Sequence, residues 1–96
     1  MYKILPYTKE KAEKLNVEIK PSKRKGKKID VYKNNKKIAS IGAIGYPDYP
    51  TYQEMEQNGI VKKGTANKRR KAYKKRFEKT RKKKGTPSYY ADQLLW

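Results

Sequence analysis

Residues 61–84 carry fourteen lysines and arginines and a single acid, Glu78. No other feature constrains the fold as much, because such a run cannot bury itself. Held as a rod, it sets like charges against each other at i,i+4 pairs such as Lys71 and Lys75. Its only adhesive surface is sparse. Ala66, Tyr73, Phe77 and Thr80 fall on one stripe at 3.6 residues per turn. The spacing therefore predicts a helix over 66–83, capped by Thr65, with that stripe on a small core and cations over its other faces.

The rest of the 96-residue chain has little apolar material to meet that stripe, enough for one small domain at most. Leu, Ile, Val and Phe together are 15 of the 96 residues, fewer than the roughly 20% that accompanies a packed core. Lysine and arginine number 27 against 9 acids, for a formal charge of +18. Those figures alone point towards disorder. Nine tyrosines argue the other way, since they are bulky and suit cores and interfaces alike. A chain so composed is expected to be ordered with the help of an anionic partner.

Several classes drop out. Without Cys or His there are no disulfides, zinc sites, thiol redox chemistry or histidine triads. No apolar run approaches the ~18 residues of a membrane span, and no signal-peptide core follows the N-terminus.

Before the basic run, Tyr2, Ile4, Leu5 and Pro6 open the chain, and Thr8 is placed to cap a charged helix that reaches Leu15. Val17 and Ile19 alternate with charged residues as in a strand, which Pro21 ends. Residues 28–41 alternate around Asn34-Asn35, a pair that tolerates positive φ, and so predict a β-hairpin. Residues 42–52 form a Gly/Pro/Tyr-rich connector. Thr51 and Glu54 have capping-box spacing, which predicts a helix over 52–57 stopped by Asn58-Gly59. Gly85-Thr86-Pro87 breaks the basic helix, and Ser88 is placed to cap a last short one. The expected architecture is α+β. A small N-terminal antiparallel sheet occupies residues 1–60, and residues 61–96 add the basic helix and an apolar C-terminal anchor, in one compact domain overall.

Function follows the charge. Two clusters are expected to bind nucleic acid: Lys23, Arg24, Lys25, Lys27 and Lys28 in a loop, and Lys68, Arg69, Arg70, Lys71, Lys74, Lys75, Arg76, Arg81, Lys82, Lys83 and Lys84 in the rod. Each phosphate neutralised releases counterion, so binding is expected to be tight at low salt and indifferent to sequence. Solvated solubilising faces mix signs, and this one does not. An acidic protein or membrane surface is the alternative partner.

Tyr46, Tyr49 and Tyr52 lie among Pro and Gly rather than among lysines, which favours packing or protein contacts over base stacking. Tyr89, Tyr90, Leu94, Leu95 and Trp96 end the chain on its least charged stretch. They either fold back onto the hairpin or dock on a neighbouring subunit. No enzyme is expected. The segment from Gly59 to Thr65 has the glycines of a phosphate loop without the lysine that should follow the second one. Asp30, Asp48, Glu54 and Glu56 match no metal-ligand spacing and are expected in salt bridges. Neither a cofactor nor a small-molecule substrate is implied.

Four segments occur in a familiar order: Ser22-Lys23-Arg24-Lys25-Gly26-Lys27-Lys28-Ile29-Asp30-Val31-Tyr32, Ile41-Gly42-Ala43-Ile44-Gly45-Tyr46-Pro47-Asp48-Tyr49-Pro50, Arg69-Arg70-Lys71-Ala72-Tyr73-Lys74-Lys75-Arg76, and Leu94-Leu95-Trp96. Over residues 22–96 the chain resembles a family of small basic proteins encoded by large DNA viruses and some phages. Phe77 stands where that family often has His. The resemblance implies viral origin and a place in the virion. The expected role is a minor capsid or internal protein that binds packaged nucleic acid, DNA first, through its backbone and docks to capsid proteins. A cement protein bridging acidic capsid subunits, or an accessory nucleic-acid binder outside the virion, is the alternative.

Overall fold

Asn34 and Asn35 have φ of 53° and 65°. Both lie in the left-handed region that a two-residue I′ turn requires. They join β2 (Lys27–Lys33) to β3 (Lys36–Ala43), as the hairpin pattern predicts. β1 (Glu18–Pro21) adds antiparallel to the free edge of β2, giving a three-stranded sheet of order β1-β2-β3. The computed structural model describes residues 2–96. Its four helices are α1 (Pro6–Leu15), α2 (Tyr49–Gln57), α3 (Thr65–Arg76) and α4 (Pro87–Leu95), which makes the fold α+β.

Apolar side chains from the sheet and from α1 and α4 meet in one core. Ile29 and Val31 of β2, Ala39 and Ile41 of β3, Ala12 of α1, and Tyr90, Leu94 and Leu95 of α4 are all buried. The C-terminal segment therefore folds back and completes the core of the sheet. A boundary at residue 60 would cut that core in two, so 61–96 is not a separable extension.

Helix limits differ from the sequence expectation for local reasons. α2 begins at Tyr49, three residues early, because Asp48 rather than Thr51 is its cap. The Asp48 carboxylate accepts from the Thr51 N–H at 3.0 Å and from its hydroxyl at 2.6 Å. Pro50 is tolerated in this first turn, where its missing N–H needs no partner. α4 is capped by Thr86, not Ser88, with Pro87 directly after it. α1 begins at Pro6 behind Leu5, which makes no side-chain cap, and Thr8 is buried inside the helix instead of capping it.

α3 stops at Arg76, seven residues short of the expected end, and begins behind Gly64 without a side-chain cap on its own chain neighbour. Glu56 of α2 takes over, accepting the Ala66 N–H at 2.9 Å. Residues 77–86 form successive turns. In a straight helix, residue 81 would stand about 10 Å along the axis from Lys74. The turns bring the Arg81 Nε back to within 3.3 Å of the Lys74 carbonyl oxygen, beside the buried Asp92.

Candidate nucleic-acid interface

Members of two basic clusters far apart in sequence line one groove. Its volume is about 590 Å³, within the range of about 300–1,000 Å³ that ligand sites occupy. Lys27, at the start of β2, and Arg69 and Arg76 of α3 all line it. The Gly26 carbonyl oxygen accepts the Ile44 N–H at 3.0 Å, which ties the 22–28 loop to the segment carrying Tyr46. Gly26 has φ +82°, and a Cβ there would meet nothing within 4 Å, so its backbone is open to an approaching anion.

The floor is aromatic. Trp96 stacks on Tyr73 with ring centroids 4.5 Å apart and planes inclined by 6°. Phe77 lies 4.7 Å from Tyr73, and Tyr52 lies 6.5 Å from Trp96. Arginines cover the two ends: the Arg69 guanidinium carbon is 5.8 Å from the Tyr52 centroid, and that of Arg76 is 5.2 Å from Phe77. Both are within cation–π range. Burial, followed by the nearby charge of Asp92, pushes the Tyr73 phenol up to about 12.

The sixteen predicted cations divide into groups. Lys23, Arg24, Lys25, Lys68, Arg69, Lys71, Lys75, Arg76, Lys83 and Lys84 are exposed, and no ion pair involves them among the described residues. Lys27 is half-buried at the groove. Lys82 is exposed but bound to Glu78 at 2.6 Å. The hydrogen bonds from Lys82 and then Arg81 hold the Glu78 carboxyl below its ordinary range. Arg70 lies over the Tyr49 ring at 4.8 Å.

Three expected phosphate ligands are turned inward. Lys28 is buried and forms an ion pair with Asp48 at 3.0 Å; it also donates to the Tyr46 carbonyl oxygen. It alternates with Ile29 along β2, and both faces of that central strand are covered. Lys74 donates to Asp92 at 2.8 Å, and Arg81 lies 3.7 Å from the other Asp92 oxygen. Asp92, which no pattern in the sequence picked out, is the buried counterion of the basic segment.

The predicted acid pairings divide the same way. Asp48 does form a salt bridge, and it also accepts from the Tyr2 hydroxyl at 2.6 Å. Burial, that hydrogen bond and the Asp48 charge together raise the Tyr2 phenol far above its ordinary value. Asp30 pairs with hydroxyls instead, Ser22 and Ser40, each at 2.6 Å. Burial works against its charged form, yet these hydrogen bonds hold its carboxyl below the usual range.

The expected docking anchors mostly belong to the chain itself. Tyr49, Tyr90, Leu94 and Leu95 are buried, and Tyr89 packs against the core. Tyr52 and Trp96 are half-buried in the groove, and Tyr46, 73% exposed, stands at its rim. Tyr52 thus lies beside a cation after all, because Arg69 of α3 reaches its ring.

A family of unknown function, DUF5754, matches residues 17–54, less than half of the chain. The matched segment spans the three strands and the Asp48 cap, and α3 lies outside it. No curated protein and no solved structure matches the chain significantly. No helix among the described residues is long and apolar enough to cross a membrane.

Proposed function

We propose that this protein is a non-enzymatic nucleic-acid-binding protein that neutralises phosphate along a backbone without reading sequence. One observation carries the reading: Lys27, from the first basic cluster, and Arg69 and Arg76, from α3, line a single groove. Among the described residues that line it, the one acid, Asp48, is already paired with Lys28. The exposed cations of α3 beyond the groove, Lys68, Lys71 and Lys75, extend the same positive surface.

A salt titration tests it. Log affinity for an oligonucleotide should fall linearly against log salt, with a slope of about −0.7 to −0.9 for each phosphate contacted. A flat response would remove the phosphate role, and tighter binding to a polyglutamate chain than to DNA would replace phosphate by an acidic protein as the partner.

A place in the virion, as a minor capsid or internal protein bound to packaged genome and to the shell, rests on the family resemblance described above. Mass spectrometry of purified particles tests that setting. Near-stoichiometric copies support it, and their absence leaves nucleic-acid binding outside the particle.

A further inference from the structure

We infer that the groove seats an unstacked base, so that the ligand is single-stranded nucleic acid rather than duplex. The inference rests on the phosphate reading above and adds what that reading does not contain. Phosphate contacts need only an exposed positive surface, which Lys68, Lys71 and Lys75 already supply. They give no reason for a groove floored with four aromatic rings.

The geometry suits a base on three counts. First, Tyr52, Phe77 and Trp96 line the groove as half-buried rings, with Tyr73 stacked behind Trp96, and every base has a π face to lay against such rings. Second, the Arg69 and Arg76 guanidiniums lie at the ends of that floor, where planar cations stack on a base and also reach the phosphates beside it. Third, Ala72 leaves the α3 wall open between those arginines, since residues 69, 72, 73 and 76 share one helix face. Bases paired inside a duplex cannot enter such a groove without being extruded, which costs a few kcal/mol. A single strand pays little of that cost.

Charge selects this occupant over an apolar peptide. Lys27, Arg69 and Arg76 on the walls have no acid partner among the described residues. A neutral peptide would leave them unmatched.

The experiment compares three ligands of equal phosphate count: a mixed-sequence single strand, the same strand with abasic sites throughout, and a duplex. The intact strand is expected to bind about five- to a hundredfold more tightly than the abasic one. Fluorescence of Trp96, the only tryptophan, should be quenched by the intact strand alone. Two variants leave every cation in place. Ala72→Met fills the groove, and Tyr46→Ala removes an exposed rim ring; circular dichroism checks that each is folded. Ala72→Met should bring the intact strand down to the abasic strand's affinity, and Tyr46→Ala should lower only the intact strand.

Equal binding of intact and abasic strands, with a steep salt slope for both, overturns the base site and leaves the phosphate reading standing. Tighter binding to the duplex than to the intact strand does the same. Absence of salt-dependent binding to all three ligands overturns both.

Discussion

Lys74 on α3 donates to Asp92 on α4 at 2.8 Å, and Asp92 is 2% exposed. Arg81 approaches the same carboxylate from the turns after α3. One buried acid thus takes two cations out of the most positive segment of the chain and pins that segment to the helix that completes the core. The remaining positive charge is therefore held on a fixed surface and not on a loose tail.

Asp92→Asn should lower stability by about 1.5–3 kcal/mol, the value of hydrogen bonds to charged groups. Lys74 and Arg81 are partly exposed and can turn to water, which keeps the loss below the ~3–5 kcal/mol of a fully buried broken pair. Urea unfolding measures it. An unchanged midpoint would mean that the pair contributes nothing to docking α3.

Lysines on the two sides of this division should behave oppositely. Lys28→Gln leaves the buried Asp48 without its cation and should destabilise by about 3 kcal/mol, while the salt slope for oligonucleotide binding stays as it was. Lys71→Gln or Lys75→Gln should reduce that slope by about 0.7–0.9 each and change stability by no more than about 0.5 kcal/mol. Paired urea melts and salt titrations separate the two classes.

Gly42 should tolerate substitution far less than Gly26. Both have positive φ, so an alanine at either costs about 1–2 kcal/mol in backbone strain. At Gly42 the added Cβ would also lie 2.9 Å from Lys28 Cδ and 3.0 Å from Leu95 Cδ1, a crowding worth a further ~1–3 kcal/mol. At Gly26 it would meet nothing within 4 Å. Thermal melts of the two alanine variants check the difference.

Tyr73 should ionise well above the ordinary tyrosine range. Its phenol is raised to about 12 from the ordinary value near 10 because the neutral form is favoured in the fold. The stability this contributes is complete below pH 10 and is lost as pH rises from there through about 12. Ultraviolet titration of wild type against Tyr73→Phe should show one late phenolate missing in the variant. The variant's stability should also fall less steeply across that alkaline window.

The local pattern carried much of this fold. Alternation around Asn34-Asn35 announces the hairpin because only residues at ease with positive φ fit a two-residue turn. Polar residues beside proline announce α2 and α4, although the capping oxygen comes from Asp48 and Thr86 and not from Thr51 and Ser88. Such slips are natural, since several nearby oxygens can reach the same N–H groups and packing selects among them. The end of α3 was not legible in the sequence; the turns after it bring Arg81 to Asp92, which meets Lys74 across 18 residues.

What the sequence alone determined about this protein is its overall charge and its local conformations. Spacing, turn chemistry and the +18 excess are properties of neighbouring residues and of a sum, and they survive any arrangement of the chain. Which cations turn inward, which aromatic rings line the groove, and that Lys27 shares it with Arg69 and Arg76 were decided only in three dimensions. Burial and ion pairing are relations between distant segments, and folding alone brings those segments together.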